Sequence, residues 1–257
     1  MRAPWVALLL LPAVAACSDS ESSALPQGAE SAELDPADFT PGSDHRYFPL
    51  TPGTQWRFRE TDAEGSVQEV VVTVTSETRT LANGVEARVV RDTVSESGSL
   101  VEDTFDWYAQ DTDGNVWYLG EETAEFEDGG LASREGSFEA GVDGALPGVV
   151  MPAEPTAGQE YRQEYYAGQA EDNGAVIATG QQAEVPKGHF EDAVLTADTN
   201  ALEPEVLEYK LYAPDVGLVL TLDVSGGSAR EELLSTTTVD PTIARAAGKA
   251  PLGTPYE

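Results

Sequence analysis

The sequence predicts an all-β, mainly antiparallel fold, and three observations carry that reading. Along the middle of the chain apolar and polar residues alternate with a period of two, the mark of half-buried strands, while helical periodicity is scarce. The alternating runs are rich in β-branched and aromatic residues and are separated by turn chemistry such as Ala82-Asn83-Gly84. Landmarks also recur at a spacing of 104–106 residues: TPGTQWRF at Thr51 is echoed by TAGQEYRQEYY at Thr156, Gly84 by Gly188, Asp92-Thr93 by Asp198-Thr199, and Tyr108-Ala109 by Tyr212-Ala213. Together these describe an internally duplicated, curled sheet, either an open half-barrel or a sandwich, flanked by disordered N- and C-terminal segments.

Residues 1–16 read as an export signal. Arg2 is the only charge before an apolar run from Trp5 to Ala16, which is about 12 residues long, whereas a membrane-spanning helix needs roughly 20. The run ends Val14-Ala15-Ala16-Cys17, a lipobox-like pattern, and Cys17 is the only cysteine in the chain. Cys17 is therefore the expected lipidation site, its acyl chains giving a stable membrane anchor. That places the protein in the cell envelope, facing the periplasm or the exterior.

Residues 17–45 carry Ser, Ala, Pro, Glu and Asp with few large apolar side chains, and are expected to form an acidic, disordered tether. Residues 46–150 form the first β-unit. It includes the strand pair VQEVVVTVTSET and GVEARVVRDTV, then the hairpin TFDWYAQDTDGNVWYLG around Asp111–Asn115, and it ends in the connector GVDGALPGVVMPAEP. Residues 151–234 form the second unit, with EYKLYAPDVGLVLTL as its hairpin. Residues 235–257 lack sustained periodicity and are expected to be a flexible tail.

The phrases YFPLTPGTQWRF, DTFDWYAQDTDGNVWYLGEE, PGVVMPAEPTAGQEYRQEYYAG and YKLYAPDVGLVL resemble a family of uncharacterised bacterial exported proteins that carry them in this order. The resemblance spans about residues 46–223 and implies no activity. At the level of fold the pattern is similar to the curled half-barrels of lipoprotein carriers, an analogy that speaks to architecture rather than function.

Composition excludes some roles. The chain has 46 acidic and 14 basic residues, a formal net charge of −32, and lysine only at Lys187, Lys210 and Lys249. Such a field repels nucleic acid. Solubility, salt adaptation and cation binding all account for it. The two histidines, His45 and His189, lie far apart and no GxSxG elbow occurs, so neither a Ser-His-Asp site nor a zinc site is legible. No enzymatic activity is expected. Asp111, Asp113 and Asn115, with Glu122, offer hard oxygen ligands, and calcium is the one cofactor the pattern admits; the same residues also suit a plain hairpin turn. Among the aromatics, Trp107, Trp117, Tyr165 and Tyr166 are the candidates to line a concave apolar face.

The function expected from the sequence is a lipid-anchored envelope protein binding an apolar or amphipathic small molecule or an envelope protein. A calcium-dependent surface or adhesion module and a carboxylate-based hydrolase are the alternatives.

Overall fold

The computed structural model describes residues 24–256. The signal peptide and Cys17 lie outside the described residues. Sixteen strands follow in chain order. The first nine are β1 (Phe39–Thr40), β2 (Thr54–Thr61), β3 (Val67–Thr80), β4 (Glu86–Glu96), β5 (Ser99–Asp111), β6 (Val116–Glu127), β7 (Gly130–Ser133), β8 (Phe138–Glu139) and β9 (Leu146–Met151). The rest are β10 (Glu160–Arg162), β11 (Glu164–Tyr165), β12 (Asp172–Val185), β13 (Gly188–Asn200), β14 (Leu207–Ala213), β15 (Gly217–Ser225) and β16 (Arg230–Thr238). One short helix, α1 (Pro241–Ala247), closes the chain, with Asp240 as its N-cap and Pro at its first turn.

All pairings are antiparallel, and the sheet order is β10-β12-β13-β14-β15-β16-β2-β3-β4-β5-β6-β9-β11. Neighbours in the chain are mostly neighbours in the sheet, as local hairpin chemistry dictates. The right-handed twist of so many strands curls the sheet on itself. Closure comes from one extended stretch: Glu160–Arg162 pairs with β12, while Glu164–Tyr165, one residue further, pairs with β9. The two ends of the sheet thus share a strand, and the result is a nearly closed barrel. The fold class read from the sequence is the one observed.

Arg162, fully buried, fastens this seam. Its guanidinium donates to Pro147 O on β9 and to Gly28 O and Glu30 O of the N-terminal segment, and its backbone N–H donates to Pro26 O. A planar donor fork held by backbone carbonyls on two sides is a use of Arg that Lys cannot reproduce.

Both terminal segments differ from the sequence expectation. Residues 24–45 are packed rather than a loose tether: Leu25, Leu34 and Phe39 pack against the core cluster that contains Trp107, Trp117 and Leu119, and β1 pairs with the end of β5. The tail is also ordered. Arg91, buried on β4, forms a two-pronged ion pair with Asp103 on β5 and donates to Ala247 O (3.0 Å) and Ala250 O (3.1 Å). Gly253 N–H donates to Asp103 Oδ2 at 2.7 Å, and the Tyr256 ring lies 4.4 Å from the Arg91 guanidinium. Composition alone missed this, because the few apolar groups of each tail are supplemented by buried arginines in the barrel wall.

Candidate functional site: the barrel lumen

Strand parity builds the site. On β5, Glu102, Asp106 and Tyr108 face the lumen, and Asp103, Phe105 and Trp107 face the other way. On β2 the inward series is Trp56, Phe58, Glu60; on β14 it is Tyr212, Lys210, Glu208. Tyr212 pairs with Leu218, and Glu231 with Glu60, so these series run in the same sense around the barrel. Rings therefore gather at one end and charges at the other.

The aromatic end is plugged by the chain before β2. Phe48 lies 5.3 Å from the Tyr108 ring and 6.2 Å from that of Tyr212, Tyr108 stacks on Tyr118 at 5.0 Å, and Leu50 is buried beside them. Trp56 Nε1 donates to Val216 O at 2.8 Å, which satisfies its polar tip. Solvent reaches the charged end: the side chains of Lys210 and Glu208 are 25% and 32% exposed, against 4% for Tyr212. Between the two ends lies a cavity of about 590 Å³.

Nine carboxylates and a single ammonium, Lys210, line that cavity. Lys210 Nζ bridges Asp198 (2.9 Å) and Glu208 (3.2 Å). Burial pulls the Lys210 pKa down, but the two acids outweigh it and hold it well above the usual value. The other carboxyls are shifted upward, first by burial and then by one another. Asp106 is pushed up to about 7 and Glu231 to about 7. Glu121 is pushed to about 8 by burial and Asp106, and Glu164 to about 10 by burial and its hydrogen bond with Asp172. Geometry agrees. The Tyr118 hydroxyl lies 2.8 Å from both Asp106 and Glu121, and with one hydrogen to give it satisfies both only when one carboxyl is protonated and donates back.

An irregularity in β6 makes this triad. The β5–β6 register slips by one residue between Asp106 and Tyr108, so Tyr118 and Glu121, three apart, both reach the lumen side. Gly120 sits in the slip at φ +134°, where a Cβ would run into the carbonyl of Phe138.

The sequence-derived ligand candidates lie elsewhere. Trp107 and Trp117 are core residues on the wall away from the cavity, with Arg79 stacked 4.1 Å from the Trp107 ring and Phe39 edge-on to Trp117 at 6.0 Å. Tyr165 and Tyr166 are half-buried near the seam and do not line the cavity either. The proposed calcium ligands are used by the turn. Asp111 accepts from Asn115 N (2.8 Å), Asn115 Nδ2 (2.9 Å) and Trp117 Nε1 (2.7 Å), and Asn115 Oδ1 accepts from Ala153 N. Glu122 instead pairs with Arg134 at 3.1 Å, further along β6, and Asp113 stays at the hairpin tip. Among the described residues no three His, Cys, Asp or Glu side chains converge at metal-binding spacing. His45 is buried, its Nδ1 accepting from Tyr47 N and its Nε2 facing Pro152 O; burial lowers its pKa. His189 is exposed beside Glu184.

The lumen acids were missed because an acidic residue on an alternating strand reads as its solvent face. Lys210 offered the one available signal: a lone lysine at an inward position of an otherwise acidic hairpin.

No family model and no curated protein matches the chain, so the family resemblance drawn from its phrases has no support there. Among solved structures it is similar to a candidate lipoprotein from Parabacteroides distasonis, at 19% identity and TM-score 0.43, over 75% of this chain and 99% of that one. It is also similar to a β-barrel-like protein from Brucella abortus whose domain has no assigned function, at 10% identity and TM-score 0.38, over 74% and 100% of the two chains.

Proposed function

We propose that the protein is a lipid-anchored cell-envelope protein that holds a small amphipathic molecule in its barrel lumen. One observation carries the reading: the cavity of about 590 Å³, with rings at one end and hydrogen-bonding groups at the other, has the size and make-up of small-molecule sites. The anchor rests on Cys17 and the short apolar run before it. The meanders β2–β6 and β10–β15 run in a similar order, and β3 and β12 are both 14 residues long, which fits a barrel made by duplicating one unit. In this reading the protein binds and carries out no reaction.

Two measurements test it. Cys17→Ser should lose membrane association; a variant that still sediments with membranes after signal removal overturns the anchor. For the lumen, protein purified from its own envelope should show the mass of one bound small molecule by native mass spectrometry. Leu218→Trp, which fills the cavity, should lose it. Identical, ligand-free masses for both proteins overturn the lumen as a binding site.

A further inference from the structure

The chemistry of the cavity selects among amphipathic molecules, and this inference rests on the lumen being the binding site. Nine inward carboxylates face one ammonium, and that ammonium is already committed to Asp198 and Glu208. Buried like charges a few ångströms apart cannot all ionise without a counter-charge.

One further observation marks the surplus as a site rather than a solvated acidic face. Asp92 Oδ1 is buried and has no hydrogen-bond partner among the described residues, and its neighbours on the same face of β4 and β5 are Glu102 and Asp106. Unsatisfied buried acceptors are costly unless something fills them. A donor bearing positive charge satisfies both deficits, of charge and of hydrogen bonds.

The other end of the cavity constrains the rest of the molecule. Trp56, Phe58, Val72, Tyr212 and Leu218 line this half. An aliphatic or aromatic body gains there by burial, and an ammonium close to the rings gains further from their negative faces. A bare metal ion leaves this half without a partner.

We propose that the lumen takes an organic cation: an amphiphile whose protonated or quaternary amine is held by Asp92, Glu102 and Asp106 and whose apolar body lies against Trp56, Phe58 and Tyr212.

The test uses three probes with one tail and different heads: decylamine, decanol and decanoate, titrated calorimetrically into the folded chain at neutral pH. Decylamine should bind with one-to-one stoichiometry at least about tenfold tighter than decanol, and decanoate should not bind. Asp92→Asn, and separately Glu102→Gln, should each lower decylamine affinity by about tenfold without changing decanol binding, as the loss of a charge-assisted contact predicts. Asp128→Asn, at an exposed turn, should leave all three unchanged, which separates a lumen site from attraction to the net charge of −32. Equal binding of decylamine and decanol, or tight binding of decanoate, overturns the cationic assignment while leaving the lumen as a site. An amine preference that survives both lumen variants overturns it too. Binding of none of the probes counts against the lumen itself.

Discussion

Lys210 Nζ sits 2.9 Å from Asp198 Oδ2, and this pair is the only cation–anion contact among the side chains that line the cavity apart from Lys210's second contact with Glu208. Asp198 is 9% exposed and Lys210 25%, so the pair is shielded enough for its removal to be felt. Lys210→Met should destabilise the protein by roughly 3–5 kcal/mol at neutral pH, because it strands two carboxylates. Urea denaturation of both proteins at neutral pH measures the difference, and equal stabilities would show that the pair contributes nothing.

Stability should rise, not fall, as the medium is acidified from mildly basic to mildly acidic pH. Asp106 and Glu231 are held at about 7, Glu121 at about 8 and Glu164 at about 10, all above their unfolded values near 4. A folded state that holds protons more tightly than the unfolded chain is stabilised below the unfolded pKa, and that stability is lost as pH rises through the folded values. Each group contributes a slope of up to about 1.4 kcal/mol per pH unit in its window. Lys210, held above its usual value, weakens only at still higher pH. The window is therefore about pH 4.5 to 10. Thermal melts should show Tm highest near its acidic end, and Asp106→Asn combined with Glu121→Gln should flatten the curve. A Tm that climbs from pH 5 to 8 would sink this account.

The tail acts as a strap. Removing residues 241–257 exposes the Arg91–Asp103 pair and takes away the carbonyls of Ala247 and Ala250. Truncation should cost about 2–4 kcal/mol, or roughly 4–15 °C in Tm for a chain of this size. Arg91→Leu should be at least as damaging, since it leaves Asp103 buried and unpaired. An unchanged melting temperature in the truncated protein would mean that the strap is decoration.

Trp107 and Trp56 should behave oppositely. Trp107→Ala empties a core position under Arg79 and the N-terminal segment and should cost roughly 3–5 kcal/mol, leaving lumen binding per folded molecule unchanged. Trp56→Ala also widens the cavity and should weaken decylamine binding. Loss of probe binding in folded Trp107→Ala would move the site to the opposite wall.

Calcium should not act through the Asp111 hairpin. Asp111 already accepts three hydrogen bonds from Asn115 and Trp117. Asp113→Ala should therefore leave the response of Tm to millimolar Ca²⁺ unaltered. A saturable shift that vanishes in that variant would restore the metal reading.

How much of this was legible depends on the range of the interactions. Hairpins such as β5–β6 were readable because alternation and turn residues are local: Phe105, Trp107 and Ala109 do share a face. Which face looks inward is not local. A strand buried on both sides, as β5 is, has no solvent face to break the tie, and the choice falls to closure of the sheet about fifty residues further on at Glu160–Tyr165. The alternation in the sequence therefore put Trp107 on the concave face, where the structure places Tyr108 and Asp106. The tails were misjudged for a related reason: their fixings, Arg162 and Arg91, lie far from them in sequence.

The shared strand at the seam has a further consequence for how the molecule behaves in a crowd. An open sheet of this width would present two unpaired edges, each a template for another copy. Here the stretch from Glu160 to Tyr165 caps β9 and the start of β12 at once, and the rest of β12 is broken by successive bulges between Val176 and Ala183 that make it a poor template. Loosening Arg162 would uncover both edges together. An Arg162→Ala chain should accordingly fail by self-association before it fails by unfolding, growing edge to edge while most of its hairpins remain intact.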